Sequence, residues 1–212
     1  LGNGNYVVRS PNWDHSAAGA VDAGAVTFGS ETSGISGGVS PANSLVGGTP
    51  GDQVGSSDLV VLANDNYVVS SPAWNNGMLI DAGAVTFGSG TSGLSGGVSP
   101  ANSLVGSSAN EQVGNPGFVT PLGNGNYVAR SPLWDNGAKV DAGAVTLGSG
   151  TGGTSGVFTP GNSLVGSTAG DAVGTSVTAL GNGNFVVRSP DWDIGLQKTG
   201  YISEAGRCLV MQ

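Results

Sequence analysis

The chain repeats itself about every 60 residues, and this periodicity constrains its fold more than any other feature of the sequence. The segment GNGNYVVRSPNWD around Tyr6 returns in similar form around Tyr67, Tyr127 and Phe185, at intervals of 61, 60 and 58 residues. Two further blocks recur between these segments, and in the first copy they read DAGAVTFGS and SPANSLVG. Units of this kind bury their apolar faces by stacking on one another. The sequence therefore predicts a single repeat domain over residues 1–212.

The predicted domain contains four units, of which the first and last are incomplete or degenerate. Their approximate bounds are residues 1–56, 57–116, 117–174 and 175–212. The fourth copy loses the pattern after Trp192, which is typical of terminal repeats because they cap or close an array. There, residues 199–203 fall where the AGAVT block is expected, and residues 208–210 are a candidate replacement for SLVG.

Each unit is predicted to contain four short strands, A to D, which in the second unit cover residues 59–62, 67–69, 84–87 and 103–105. These runs are β-branched or aromatic and are bounded by Gly, Asn, Ser and Pro. Gly-Asn-Gly-Asn links strands A and B in three units, and Asn-Gly favours a tight hairpin turn. A proline follows strand B in every unit and cannot donate to a sheet, so it is expected to end that strand. These prolines are Pro11, Pro72, Pro132 and Pro190.

Four-stranded antiparallel units of this length indicate an all-β fold, a β-propeller in which each unit is one blade. The alternative is a β-solenoid, whose coils are usually shorter and stack in parallel. No sub-repeat is visible within the 60 residues, and the Asn-Gly turns favour antiparallel strands. The propeller is therefore the preferred prediction.

Composition excludes several other classes of protein. The apolar fraction of 38% is too high for a disordered tail, and the 40 glycines do not recur at every third position as in collagen. Six basic residues stand against 14 acidic ones, and the net charge of −8 repels phosphate, so no nucleic-acid partner is expected. No stretch approaches 18 apolar residues, so no membrane-spanning helix is expected.

One segment, GSSANEQVGNPGFVTPLGNGNYVARSPLWDNGAKVDAGAVTLG, resembles the FG-GAP repeat of integrin α-chain propellers. The shared features are a Gly-rich start, a strand, an Asn/Gly loop, a hydrophobic run closed by a small residue and Pro, and a Gly-Ala-Val strand. The resemblance implies an extracellular or cell-surface protein that works in adhesion or ligand recognition. It also implies calcium in the loop between strands A and B.

The residues of that loop do not support calcium binding. Calcium prefers several oxygen ligands with more than one carboxylate. Three of the four loops read Gly-Asn-Gly-Asn, and Asp65 is the one acidic residue among them. The sequence therefore predicts neither a metal site nor a cofactor.

Nothing in the sequence resembles a catalytic set, and the chain is predicted not to be an enzyme. The single histidine, His15, has no counterpart in the other units and is interpreted as a loop residue. Asp22, Asp81 and Asp141 recur just before strand C, which favours a structural turn over an active site. Paired carboxylates of a carbohydrate-active enzyme remain an alternative.

The candidate ligand-binding residues are a tryptophan after strand B in every unit and the Asp or Asn that follows it. An aromatic face beside a carboxylate or amide suits a sugar, and one weak site per unit would gain strength through avidity. The alternative is that each ring packs between neighbouring units. The candidates are Trp13, Asp14, Trp74, Asn75, Trp134, Asp135, Trp192 and Asp193.

A strand-B arginine recurs as Arg9, Arg130 and Arg188 and is expected to pair with the acid before strand C. Taken together, the sequence predicts a non-catalytic interaction or adhesion module that binds glycan or protein ligands. A purely structural spacer is the alternative. Self-association that completes the ring is also expected, because the chain begins and ends inside a unit.

Overall fold

The fold is all-β. A computed structural model of the chain describes residues 1–193 and the backbone of residues 207–211. In this part of the chain the strands form four sheets, and the one helix is a three-residue 3-10 turn at Ser16–Ala18. Among the same residues, no helix has the length and apolar character needed to cross a bilayer.

Sixteen strands run through the described residues, and each sheet is built mainly from one repeat. In chain order they are β1 (Tyr6–Ser10), β2 (Ala25–Gly29), β3 (Ser44–Val46), β4 (Leu59–Val61), β5 (Tyr67–Ser71), β6 (Ala84–Gly88), β7 (Gly96–Gly97), β8 (Ser103–Val105), β9 (Val119–Pro121), β10 (Tyr127–Ser131), β11 (Ala144–Gly148), β12 (Gly156–Val157), β13 (Leu164–Val165), β14 (Ser176–Ala179), β15 (Phe185–Ser189) and β16 (Arg207–Met211).

The second and third repeats confirm the predicted antiparallel order A–B–C–D. In repeat 2 these strands are β4, β5, β6 and β8, and in repeat 3 they are β9, β10, β11 and β13. Repeat 1 supplies strands B, C and D as β1, β2 and β3. Side-chain hydroxyl pairs join strands C and D in repeats 1 to 3, and the pair of repeat 2, Thr86 Oγ1 to Ser103 Oγ at 2.8 Å, is buried.

The local turn signals also behave as predicted. The A–B hairpin of repeat 2 closes through the N–H of Leu62, which donates to the carbonyl of Asn66 at 2.7 Å. One residue of this turn takes a positive φ, namely Asp65 in repeat 2 and Gly125 in repeat 3. Strand B ends at the residue before proline in all four repeats, because proline has no N–H to donate.

Neighbouring repeats are joined by parallel strand pairs that the sequence did not predict. Strand β7 lies between strands C and D of repeat 2, yet it pairs in parallel with β3 of repeat 1. Strand β12 of repeat 3 pairs with β8 of repeat 2 in the same way. The outer strands D of repeats 1 and 2 are therefore each covered by a short segment of the following repeat.

The end of repeat 4 differs from its predicted alignment. Residues 208–210 belong to β16, which pairs antiparallel with β15 and occupies the place of strand C. The expectation that they replace strand D is therefore wrong. Residues 199–203 and the side chain of Cys208 lie outside the described part of the chain.

The hydrophobic core lies between the repeats. It forms three clusters, and each joins one face of a repeat, here called the trailing face, to the opposite face of the next repeat, called the leading face. Burial of each aliphatic side chain contributes about 1.5–3 kcal/mol, so these junctions hold the array together. Between repeats 2 and 3, the trailing face supplies Leu62, Val68, Val85, Leu104 and Val113, and the leading face supplies Val119, Tyr127, Ala129, Trp134, Ala144 and Phe158.

The tyrosines of the internal leading faces are expected to make the fold sensitive to alkali. Burial raises the pKa of Tyr67 and of Tyr127 to about 12, whereas the unfolded chain ionises them near 10.0. Unfolding therefore releases protons above pH 10, and the free energy of unfolding should fall between pH 10 and 12, by up to about 3 kcal/mol per tyrosine. Below pH 10 this contribution is fully present.

Titration of tyrosinate absorbance, with circular dichroism in parallel, measures this effect. A late phase near pH 12 should coincide with unfolding and should disappear in a variant carrying both Tyr67→Phe and Tyr127→Phe. Ionisation of every tyrosine near pH 10 in a chain that keeps its circular dichroism spectrum would contradict the prediction.

Candidate functional site

The four candidate tryptophans follow strand B and lie on the leading faces of their repeats. Trp74 and Trp134 are buried, with 5% and 3% of their surface exposed, and both belong to junction clusters. Trp13 and Trp192 are half-buried. The structure therefore places Trp74, Trp134 and Trp192 at repeat junctions and Trp13 on the leading face of repeat 1, and it does not bring the four together into one site.

The Trp134 side chain illustrates what these rings do. Its Nε1–H donates to Ser107 Oγ of the preceding repeat at 3.1 Å, and its ring centroid lies 6.4 Å from that of Phe158. A sugar that stacks on an aromatic ring needs an exposed face. Trp74 and Trp134 offer no such face, and the alternative of packing between repeats describes their position.

The Asp or Asn after each tryptophan closes the loop between strands B and C, here called the B–C loop. Oδ1 of Asp14, Asn75 and Asp135 accepts the N–H of Asp22, Asp81 and Asp141, respectively, at 2.9 Å. The donating residues, Asp22, Asp81 and Asp141, have φ between 51° and 53°, so they occupy the left-handed region. The predicted structural role of the acid before strand C is thus confirmed as a turn.

The sequence reasoning missed a buried carboxylate at each junction. Asp52, Glu111 and Asp171 lie in the linker between strand D and the next strand A, and each is at most 1% exposed. Their carboxylates accept the backbone N–H of Asn75, Asp135 and Asp193, in the following repeat, at 3.0, 3.1 and 2.9 Å. The signal that could have revealed them is an acid five residues after the glycine that ends strand D.

The three acids do not share one electrostatic environment. Burial raises the pKa of Glu111, and the N–H groups of Asp135 and Ser107 offset that rise only in part. Burial acts in the same direction on Asp171, but four hydrogen bonds, led by Thr168 Oγ1, hold its pKa below the usual range. These acids therefore work as anchors of the junction, with their oxygens already engaged by N–H and O–H donors.

His15 is a structural loop residue. Its Nδ1 lies 2.9 Å from the carbonyl oxygen of Gly47, and its ring centroid lies 5.1 Å from that of Trp13. Asn76 and Asn136 make the equivalent contact, since their Nδ2 groups donate to the carbonyls of Gly106 and Gly166 at 2.9 Å. His15 thus has structural counterparts that the sequence comparison did not recognise.

The expected pairing of the strand-B arginines with the acid before strand C is wrong for Arg9 and Arg130, which bond backbone carbonyls instead. Arg130 Nη1 donates to the carbonyls of Gly174 and Thr175 at 2.9 and 2.7 Å, and its guanidinium lies 4.4 Å from the Phe118 ring centroid. Burial lowers its pKa. Arg9 donates to the carbonyls of Gly55 and Ser57. Arg9 and Arg130 therefore fasten strand B of their own repeat to the linker that follows it, through backbone oxygens.

The most exposed apolar side chains lie in the B–C loops. Val21, Ile80 and Val140 occupy one loop position in three consecutive repeats and are 60%, 62% and 56% exposed. Met78, two residues before Ile80, is 96% exposed. We call these four side chains the B–C ridge. Residues 1–193 contain no group of three His, Cys, Asp or Glu side chains placed to hold a metal ion.

Comparison with known proteins corrects the family assignment. A family model described as a repeat of unknown function (DUF5650) matches residues 1–56, 61–115, 121–175 and 179–203. No curated protein matches the chain. The resemblance to FG-GAP repeats of integrin α-chains is therefore wrong. It rested on Gly, Asn and Pro at turns, and any array of short antiparallel strands needs these residues there.

Proposed function

The chain belongs to the DUF5650 family of repeats, and we propose that it is a non-catalytic interaction module that binds a protein partner through the B–C ridge. One observation carries the proposal: the same loop position holds an exposed β-branched residue in three consecutive repeats. Packed sheets lie about 10 Å apart, so these side chains form a row that suits an extended or helical peptide with apolar anchors.

The ridge is held on a rigid support. The carbonyls of Val21, Ile80 and Val140 accept N–H groups of the D–A linker at 2.9 to 3.0 Å. The residues before them vary in kind and number, from Ser16-Ala17-Ala18 in repeat 1 to Met78-Leu79 in repeat 2. A constant scaffold with variable loops is typical of binding surfaces.

The polar groups of the described residues support a non-catalytic role. Catalytic acids and bases need access to substrate and a pKa suited to proton transfer. Asp52, Glu111 and Asp171 are buried and accept backbone N–H groups, and His15 Nδ1 is engaged by Gly47. The absence of enzymatic activity stays a prediction, as does an extracellular or cell-surface location, which was drawn from the FG-GAP resemblance and has lost that support.

We further propose that the repeats are arranged as blades of a propeller-like array. Strand β9 contacts both β4 and β14, so the first strands of successive repeats lie side by side, as inner strands do around a propeller axis. A solenoid would instead continue every strand in parallel, whereas here strands A to D of one repeat pair antiparallel and the parallel strand pairs β3–β7 and β8–β12 lie at the outer edge. Small-angle scattering distinguishes a curved array from a straight one.

Selection of peptides from a phage-displayed random library against the full chain tests the binding proposal. We expect enrichment of peptides with aromatic or aliphatic anchors. Their affinity should fall at least tenfold in Ile80→Asp and in Val140→Asp, because a charge at the centre of an apolar contact must be desolvated. The measurement is titration of the synthetic peptides by fluorescence anisotropy.

Val61→Asp is the matched control, because Val61 is 43% exposed on strand β4, outside the B–C ridge. It should leave peptide affinity unchanged. Equal loss of peptide affinity in Ile80→Asp, Val140→Asp and Val61→Asp would contradict the proposal. Enrichment of peptides that bind outside the B–C ridge would contradict it as well. A glycan-array signal that quenches tryptophan fluorescence would favour the sugar-binding interpretation instead.

A further inference from the structure

An aspartate directly follows the recurring apolar residue of the B–C ridge in three repeats. The pairs are Val21 and Asp22, Ile80 and Asp81, and Val140 and Asp141. All three aspartates are half-buried. Repeat 2 lies between repeats 1 and 3, so the 62% exposure of Ile80 is that of a loop inside the array. The surface that carries the B–C ridge therefore presents a carboxylate beside each of these apolar side chains.

The backbone of these aspartates is fixed from both sides. The N–H of Asp81 donates to Asn75 Oδ1 at 2.9 Å, and its carbonyl accepts the N–H of Gln112 at 3.0 Å. The same two contacts recur at Asp22 and at Asp141. The φ angle stays between 51° and 53° in all three. The loop thus holds each carboxylate at a defined place beside the B–C ridge.

The three carboxylates have no partner among residues 1–193. Their backbone groups are bonded, but no hydrogen bond or ion pair from a described residue reaches their side-chain oxygens. The buried acids of the linker behave in the opposite way, since Asp171 accepts four hydrogen bonds from N–H and O–H donors. The aspartates of the B–C loops therefore keep their charge available to a ligand.

The turn itself does not require a charge at this position. Asparagine enters the left-handed region as readily as aspartate does. The loop position that accepts the N–H uses both residue types, namely Asp14 and Asp135 in repeats 1 and 3 and Asn75 in repeat 2. The position after the apolar residue is aspartate in all three repeats. The backbone conformation explains a small polar residue there, but it does not explain the repeated carboxylate.

The charge balance of the B–C loops favours a basic ligand. Residues 11–24, 72–83 and 132–143 contain five acidic residues and one basic residue, Lys139. An acidic peptide on this surface meets charges of its own sign, whereas lysine and arginine are attracted to it. Complementary charges of this kind select the partner and accelerate its encounter with the surface.

From this arrangement we infer that the ligand of the B–C ridge is a basic peptide, in which an arginine or lysine accompanies each apolar anchor. The inference rests on the proposed peptide binding and adds the charge of the ligand to it. The anchor contacts Ile80 or Val140, and the cation pairs with the carboxylate of the next residue, Asp81 or Asp141. Arginine suits this role best, because its guanidinium can donate two parallel N–H groups to one carboxylate.

The peptides selected on the full chain from the random library are the probes. We expect an excess of arginine and lysine beside their apolar anchors. In a synthetic Gln version of each peptide, every arginine and lysine is replaced by glutamine and the anchors are kept. At roughly 20 mM NaCl the Gln version should bind the parent chain about tenfold more weakly. At roughly 0.5 M NaCl the two versions should bind alike, because salt screens exposed charges.

Substitutions in the chain test whether these two aspartates are responsible. Asp81→Asn and Asp141→Asn remove the charge and keep a residue that tolerates the turn. Each should weaken binding of the basic peptide about threefold, and the double variant about tenfold, with no change for the Gln version. Asp65→Asn is the matched control, because Asp65 also has a positive φ, of 66°, but lies in an A–B turn. It should leave the affinity of both peptides unchanged.

Failure of the inference and failure of the proposed function give different results. Peptides that bind the B–C ridge without an excess of basic residues, or equal affinity of the basic and Gln versions, would overturn the inference alone. An equal loss in Asp65→Asn would do the same, since attraction to the net charge of the chain then explains the effect. If the Gln version binds Ile80→Asp and Val140→Asp as it binds the parent chain, the proposed function fails and the inference fails with it.

Discussion

Replacement of Gly83 by alanine is expected to lower the free energy of unfolding by at least about 4 kcal/mol, a loss that is exceptional for one methyl group. Gly83 has a φ of 80°, and a Cβ there would lie 2.2 Å from the backbone nitrogen of Val113 and 2.4 Å from its oxygen. These atoms belong to the linker, whose Val113 N–H donates to the carbonyl of Ala82 at 3.0 Å. The backbone must therefore separate, and the junction with the next repeat is lost.

Gly77→Ala is the control that separates the steric cost of the added Cβ from the cost of an unfavourable φ. Gly77 also has a positive φ, of 64°, but no atom lies within 4 Å of the position of its Cβ. The free energy of unfolding of Gly77→Ala should fall by about 1 kcal/mol because of the unfavourable φ alone. The difference between the two midpoints of urea unfolding, followed by tryptophan fluorescence, measures the steric term. Similar losses in both variants would contradict the close approach of residues 83 and 113.

The structure within one repeat could be predicted from sequence because its causes are local. Asn-Gly turns, the proline after strand B and β-branched runs each act over a few residues. The same local signals recur from repeat to repeat, so each repeat supports the prediction made for the others. Strands A to D of repeats 2 and 3 accordingly lie within a few residues of their predicted positions.

The junctions could not be predicted, because their contacts join distant parts of the chain. Asn64 and the carbonyl of Gly150 are 86 residues apart. Glu111 stands in a linker with no apolar period, and its burial is explained by its hydrogen bonds, one of which reaches the N–H of Asp135, 24 residues along the chain. Charge alone suggests an acidic partner for Arg130, but the arginine bonds backbone carbonyls. Every residue carries such a carbonyl, so the spacing of charged residues does not indicate this contact.

The candidate tryptophans show a further limit of sequence reasoning. A Trp followed by Asp or Asn has the same sequence whether its ring faces solvent or the next repeat. The distinction depends on whether another repeat packs on the leading face that carries the ring. Trp13 and Trp134 share one sequence context, yet Trp13 is half-buried and Trp134 is buried.

Replacement of Trp134 by alanine is therefore expected to destabilise the chain by about 3–5 kcal/mol, the usual cost of removing a buried aromatic side chain. The loss combines the apolar area of a ring that is 3% exposed with the hydrogen bond from Nε1 to Ser107 Oγ. Trp134→Phe keeps most of the apolar area and should cost less, because it removes the indole N–H and part of the ring. Urea unfolding followed by circular dichroism measures both.

Trp13→Ala provides the comparison within the same repeat pattern. Trp13 lies on the uncovered leading face of repeat 1, and its ring contact is with His15, so its removal leaves no closed cavity and should cost about 1 kcal/mol. A large loss of unfolding free energy in Trp134→Ala with a small loss in Trp13→Ala identifies the recurring tryptophan as a side chain that packs between repeats. Small losses at both positions, with quenching of their fluorescence by a sugar, would instead restore the ligand-binding interpretation.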